Sequence, residues 1–156
     1  MKRILFLDYD GVVNNVIWDK EGKRAQYASA AERKVNDFQA VQWVSEFCEK
    51  YDYQIVVTST WRVWEFYKEA LWNGGLRDGI IIADRTPILR DKTRGDEVAE
   101  WLREHPEVEC YIIIDDENSF TEHKELEKHL VQCHSNQGFN LEEFIKAEQL
   151  HKSLYG

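Results

Sequence analysis

Short apolar runs alternate with stretches of helical period along most of the chain. The apolar runs predict strands at residues 4–7, 54–58, 79–83, 109–114 and 130–133. The first run is apolar at every position, which is typical of a strand covered on both faces in a parallel sheet. The second run is rich in β-branched residues, which also favour strands.

Helices are predicted between these strands, where apolar residues recur at spacings of three and four. They cover residues 35–50 and 61–72, and two more start near Thr93 or Arg94 and after Asn140, both helped by polar N-caps. The positions expected to be buried are Phe38, Val41, Val44, Cys48 and Tyr51 in the first helix, Val98, Trp101 and Leu102 in the third, and Leu141, Phe144 and Ile145 in the last.

The alternation of strands and helices predicts the fold class. It indicates one α/β domain over residues 1–156, a three-layer α/β/α sandwich with a mainly parallel, Rossmann-like five-stranded sheet and right-handed crossovers. Residues 14–35 are polar and without clear period, so we expect a small flap after the first strand, with a hairpin around Glu21-Gly22.

The composition narrows the possible functions. A net charge of -9 over 156 residues argues against broad, sequence-independent binding to nucleic acid, which needs a basic surface. A nucleic-acid end remains possible as a substrate, because a metal ion and a few local cations can hold one phosphate. The three cysteines are widely spaced and suggest scattered thiols in a reducing cytoplasm. No apolar run approaches the roughly 20 residues of a membrane span, and the first run meets two aspartates too early for a signal peptide.

Polar residues follow three of the predicted strands directly. Asp8 and Asp10 end the first strand, Thr58 and Ser59 follow the second, and the pair Asp115-Asp116 follows the fourth. Parallel sheets bind ligands at the carboxyl ends of their strands, so these side chains are expected to converge. Carboxylates brought together need a cation, and magnesium prefers oxygen ligands. The sequence therefore predicts a Mg²⁺ site at this edge of the sheet.

The same residues suit phosphoryl transfer. Asp8 can attack phosphorus and form an aspartyl phosphate, while Asp10 gives a proton to the leaving oxygen and later takes one from water. A hydroxyl from Thr58 and a cation, Arg94 or Lys92, can hold the phosphoryl oxygens.

In chain order, these segments resemble the four motifs of the haloacid dehalogenase-like (HAD) hydrolase superfamily. The matching stretches are F-L-D-Y-D-G-V, I-V-V-T-S-T-W-R, residues 92–95 and Y-I-I-I-D-D, so the resemblance spans residue 3 to about 120. It implies that Asp8 is the nucleophile and Asp10 the acid/base. It also implies that Asp8, Asp115, Asp116 and the main-chain carbonyl of Asp10 are the magnesium ligands.

The resemblance leaves two assignments open and suggests a substrate. The second-motif hydroxyl is Thr58, with Ser59 as the alternative, and the third-motif cation is Arg94, with Lys92 as the alternative. Ser59, Arg62, Lys92 and Gly11 complete the expected phosphate-binding set.

The T-S-T-W-R segment also resembles a nearly capless branch linked to nucleic-acid end repair, which implies an open site and a bulky phosphorylated substrate. The alternative function is a catalytically silent phosphate- or metal-binding regulatory module of the same fold.

Overall fold

A parallel sheet of five strands organises the residues that the computed structural model describes, which are 2–14, 36–117 and 119–156. The spatial order of the strands is β3-β2-β1-β4-β5. In chain order the strands are β1 (Lys2–Leu7), β2 (Gln54–Val57), β3 (Ile82–Arg85), β4 (Val108–Asp115) and β5 (Leu130–Gln132). The predicted α/β class and parallel sheet are confirmed. The predicted flap lies outside the described residues, apart from its first position, Asn14.

Helices lie between successive strands, and one more helix follows β5. They are α1 (Phe38–Tyr51), α2 (Tyr67–Asn73), α3 (Arg94–Glu104), α4 (Lys124–Glu127) and α5 (Leu141–Tyr155), and a 3₁₀ turn (Thr60–Val63) follows β2. Within the described residues, none of these helices is both long enough and apolar enough to cross a lipid bilayer.

The two faces of the sheet bury separate cores, because neighbouring residues of a strand point to opposite sides. Leu5 and Leu7 of β1 belong to the core beneath α1 and α5. Ile4 and Phe6 belong to the core beneath α3, where Trp101 packs edge-on against Phe6 at 5.4 Å. Helices therefore cover both faces, as the continuous apolar run of β1 predicts.

The register of the three central strands positions the functional site. Leu7 pairs with Val57 of β2 and with Ile114 of β4. The next residue of each strand, Asp8, Thr58 and Asp115, consequently lies at the same level of the carboxyl edge. By the alternation of side chains these residues share the face of Phe6, which is the face that α3 covers.

Two predicted element boundaries are wrong. The segment 61–72 does not form one helix, because Trp64 is extended (φ -91°, ψ 146°) between the 3₁₀ turn and α2. The third strand is Ile82–Arg85 rather than 79–83. Its start is delayed because Gly79 has a positive φ of 91° and the Ile81 side chain is exposed.

Three residues expected to be buried are exposed instead. Phe38 is the first residue of α1 and covers Gly75 from outside, and Leu141 and Ile145 face outward from α5. The α5 side chains that reach the core are Phe144, Ala147 and His151. The three cysteines, Cys48, Cys110 and Cys133, are buried thiols that form no disulfide with one another, in line with the prediction of scattered thiols.

Candidate active site

The turn after β1 carries Asp8 into the site and returns the chain to the core. The carbonyl of Tyr9 accepts hydrogen bonds from the backbone N–H groups of Val12 and Val13, at 3.1 and 2.9 Å. The Tyr9 side chain is fully buried and donates to the carbonyl of Tyr67 at 2.5 Å. Because Tyr9 is anchored on the opposite face, its neighbour Asp8 is held towards α3, with 3 % of its surface exposed.

Three carboxylates meet at the carboxyl edge of β1 and β4. One oxygen from each of Asp8, Asp115 and Asp116 lies within 4.8 Å of the others. Gly11 makes room for this cluster, since a Cβ atom there would lie 2.2 Å from the Asp116 Oδ2. Its φ of +79° also favours glycine. The structure thus places Gly11 against an acidic side chain, where the sequence predicted a phosphate contact.

Arg94 lies inside this carboxylate cluster. As the first residue of α3, it follows the Thr93 N-cap, whose hydroxyl accepts from the Asp96 N–H at 3.1 Å. The Arg94 Nη1 lies 3.0 Å from both carboxylate oxygens of Asp115 and 3.1 Å from the Asp8 Oδ2. Lys92, in contrast, is exposed to solvent. Of the two cations left open by the sequence, Arg94 is therefore the one in contact with the predicted nucleophile.

Burial and mutual repulsion disfavour the charged forms of the aspartates. Burial, then the charge of Asp115, raises the pKa of Asp8 well above its usual range. Burial raises the pKa of Asp115 to about 6, although Arg94 opposes the shift. Burial alone would lower the pKa of Arg94, but the charges of Asp8 and Asp115 outweigh it and raise that pKa.

The cluster fits a divalent cation. One guanidinium faces three carboxylates, two of them buried, so the negative charge is undercompensated. A hard cation with carboxylate ligands relieves this imbalance, and Mg²⁺ keeps water or phosphate oxygens in its remaining positions. Asp8, Asp115 and Asp116 are the residues that could hold it.

The hydroxyl of Thr58 differs from that of Ser59 in its surroundings. Ser59 Oγ caps the 3₁₀ turn by accepting from the Trp61 N–H at 3.2 Å. Thr58 Oγ1 is buried and has no hydrogen-bond partner among the described residues. The strand register places Thr58 beside Asp8, and its hydroxyl is not engaged by any described residue. This hydroxyl can therefore form a hydrogen bond with a substrate oxygen, which favours Thr58 over Ser59 as the second-motif residue.

The Asp10 side chain contacts a residue of the 3₁₀ turn after β2. Its Oδ2 accepts a hydrogen bond from the Trp61 indole N–H at 3.1 Å. Trp61 is itself buried and packs edge-on against Tyr9 at 5.3 Å. Trp61 therefore fixes the Asp10 carboxylate rather than stacking on a ligand. The sequence does not reveal this contact, because a tryptophan after a strand usually indicates core packing.

Arg62 has a structural role in place of the predicted phosphate contact. Its side chain is buried, and its guanidinium lies 2.8 Å from Glu97 Oε2. The other donors bond to main-chain carbonyls at 2.7 to 3.2 Å, those of Thr58, Ser59, Thr86 and Pro87. Because all five N–H groups of a guanidinium are engaged, none remains for a substrate. Arg62 joins the loop after β2 to the loop after β3 and to α3.

The fold and the strand-end residues together define a HAD-like domain. A family model described as the HAD domain in Swiss Army Knife RNA repair proteins matches residues 4–144. The chain belongs to this family, which confirms the resemblance seen in the sequence, including its link to nucleic-acid repair. The family indicates a hydrolase of the phosphohydrolase type. No curated protein and no solved structure matches the chain.

Proposed function

We propose that this protein is a Mg²⁺-dependent phosphatase that hydrolyses phosphoric monoesters through an aspartyl phosphate on Asp8. The observation that carries the proposal is the position of the Asp8 carboxylate, 3.1 Å from Arg94 and within 4.8 Å of the oxygens of Asp115 and Asp116. A carboxylate so placed has a cation to orient it and a site for the metal that offsets phosphate charge.

Asp8, Asp115 and Asp116, with the Asp10 carbonyl, would hold the magnesium ion. When bound, the ion neutralises negative charge on the phosphoryl group. The chain's own contribution is to orient that group: Arg94 donates to its oxygens from the start of α3, and Thr58 donates through its unused hydroxyl.

The reaction then proceeds in two displacements. The Asp8 carboxylate attacks phosphorus, a new O–P bond forms, and the bond to the ester oxygen breaks as Asp10 protonates that oxygen. In the second displacement Asp10 removes a proton from water, which attacks the same phosphorus. Inorganic phosphate leaves and the Asp8 carboxylate is restored. The Trp61 N–H holds the carboxylate that moves the proton in both steps.

A phosphorylated nucleic-acid end is the substrate that we infer. The family description, which refers to RNA repair, supports it. From Thr58 to Asp115, a fully described span, the chain forms only a 3₁₀ turn, α2, β3, α3 and β4, so no cap domain is inserted there. A site open on this side admits a polymer end. The three buried cysteines form no disulfide with one another, which supports a reducing cytoplasmic location.

The Asp8→Asn variant tests the proposal, with Asp78→Asn as a matched control at an exposed turn. Phosphate release from an aryl phosphate and from 3′- and 5′-phosphorylated oligonucleotides is measured with Mg²⁺ and with EDTA. Loss of the nucleophile should lower the rate by more than roughly a thousandfold. The control should retain the wild-type rate, and only proteins with Asp8 should trap phosphate as an acid-stable adduct.

Full activity of Asp8→Asn would contradict the mechanism. If the wild-type protein binds Mg²⁺ but turns over none of these substrates, the silent phosphate- or metal-binding module becomes the better description.

A further inference from the structure

A recess of about 320 Å³ opens beside the carboxylate cluster, where β3 leads into α3. Its walls include Thr60 and Val63 of the 3₁₀ turn, Ile88 and Lys92 of the following loop, and Arg94. Arg94 belongs both to the recess and to the site, since its guanidinium also lies 3.1 Å from the Asp8 carboxylate. A group that fills the recess is therefore adjacent to a phosphate at Asp8.

One side of the recess is apolar and exposed. Val63 and Ile88 have 53 % and 61 % of their surfaces exposed, although both line a recess that also contains Arg94 and Lys92. They also line a second recess of about 410 Å³ that extends to Trp101 and His105. Among the other charged residues of the wall, Arg62 and Glu97 are paired with each other, and Glu117 lies 3.9 Å from Arg94. Exposed apolar side chains beside a polar site are typical of ligand pockets.

A row of cations leads from the site to the surface along the same loop. Arg94 lies in the cluster with 11 % of its side chain exposed, and Lys92 is an exposed residue of the recess wall. Two residues before Lys92 in the chain, the Arg90 side chain is 97 % exposed and lies 3.9 Å from the Asp91 Oδ2. In a chain with a net charge of -9, this alternation of positive residues is a local exception. It complements the charge of a phosphodiester backbone that leaves the site.

We propose that this recess holds the terminal nucleoside of a phosphorylated single strand. The base lies against Val63 and Ile88, and the next phosphodiesters lie near Lys92 and Arg90. The inference rests on the proposed function, because the terminal phosphate is placed at Asp8. A volume of about 320 Å³ lies at the small end of the usual range for ligand pockets and suits one nucleoside.

The test compares kcat/KM for 3′- and 5′-phosphorylated oligoribonucleotides with kcat/KM for 4-nitrophenyl phosphate at several salt concentrations. In the Arg90→Ala/Lys92→Ala variant the oligonucleotide-to-aryl ratio should fall by roughly tenfold, since two phosphate contacts are lost. The slope of log kcat/KM against log salt should fall by about 1.4, at about 0.7 for each single-strand contact. Ile88→Ala should lower the ratio without changing the salt slope. The Lys128→Ala/Lys152→Ala control makes the same charge change at exposed positions that do not line the recess and should change neither quantity.

Several results would overturn the inference while leaving the phosphatase proposal intact. These are an unchanged ratio and salt slope in the Arg90→Ala/Lys92→Ala variant, an equal loss for both substrates, or a phosphopeptide that is hydrolysed faster than either oligonucleotide. If the wild-type protein hydrolyses nothing, the proposed function fails instead. The recess is then tested by the anisotropy of a labelled oligonucleotide bound to Asp8→Asn, where the same Kd with and without the two cations overturns the inference.

Discussion

Two buried charged clusters flank the start of α3 and differ in how their charges are compensated. In the first, Arg62 and Glu97 form a 2.8 Å ion pair. The remaining Arg62 donors go to main-chain carbonyls. In the second, Arg94 bridges Asp8 and Asp115, and a third carboxylate lies within 4.8 Å. The first cluster has equal positive and negative charge, whereas the second carries excess negative charge.

This difference separates a structural cluster from a functional one. A buried charge is tolerated when it is paired and hydrogen-bonded, and Arg62 meets both conditions. The Asp8 cluster meets them incompletely, and burial raises the pKa of both Asp8 and Asp115. Perturbed carboxylates of this kind mark sites that bind a cation or perform chemistry. Both clusters bury charge, so burial alone does not distinguish them. The balance of positive and negative charge within each cluster does.

The largest expected effect comes from breaking the compensated cluster. Arg62→Met leaves the Glu97 carboxylate buried without its cation and removes the guanidinium donors from four carbonyls, of which that of Ser59 keeps a backbone donor. Removing one partner of a buried pair typically lowers the free energy of unfolding by about 3–5 kcal/mol. Urea denaturation measures the loss.

Arg90→Met provides the matched control, since the Arg90 side chain is 97 % exposed and its loss should change stability by no more than about 0.5 kcal/mol. Adding Glu97→Gln to Arg62→Met should recover part of the loss by removing the uncompensated charge. A stability loss of Arg62→Met no larger than that of the control would show that the pair is not a structural requirement.

A smaller effect is expected from the uncompensated cluster when pH and magnesium are varied. Asp115 has a pKa of about 6 in the folded protein, above the value of about 3.9 in an unfolded chain. Because the folded state holds this proton more tightly, the free energy of unfolding of the metal-free protein decreases as pH rises between those values. Magnesium competes with this proton, so its stabilising effect should be larger at about pH 7.5 than at about pH 5, by roughly 1–2 kcal/mol.

Thermal unfolding with MgCl₂ and with EDTA at the two pH values measures this difference. Asp115→Asn should remove most of it, whereas Asp78→Asn, an exposed substitution of the same kind, should not. An equal magnesium effect at both pH values would show that the proton and the metal do not share the site.

The contrast also explains which parts of the molecule the sequence predicts. The apolar run of β1 and the polar residues after three strands indicate the sheet and the position of Asp8, because strand period and strand ends are local properties. The partner of Arg62 is not predictable in this way. The groups that accept hydrogen bonds from Arg62 come from segments up to 35 residues away in the chain, Glu97 being the most distant. The exposure of Phe38 likewise depends on its position at the start of α1, which spacing alone does not fix.

The smallest effects on stability are expected from the neighbouring hydroxyls of Ser59 and Thr58. We expect one to belong to the structural cluster and the other to the functional one. Ser59→Ala removes the cap of the 3₁₀ turn that carries Arg62, and should lower the free energy of unfolding by about 1 kcal/mol with little effect on turnover. Thr58→Val keeps the shape but removes a buried hydroxyl without a described partner, so stability should be unchanged or slightly higher. Its kcat for an aryl phosphate should nevertheless fall by about tenfold or more, because in the proposed mechanism this hydroxyl donates to the phosphoryl group.

Urea denaturation and steady-state kinetics of the two variants test this reversal. If Ser59→Ala loses turnover and Thr58→Val does not, Ser59 is the hydroxyl that contacts phosphate and the cap is incidental. If both variants lose stability and neither loses turnover, the edge of β2 belongs wholly to the structural cluster. We expect Ser59 to affect stability and Thr58 to affect activity because β2 ends between the two clusters. Ser59 caps the turn that positions Arg62, and Thr58 lies beside Asp8.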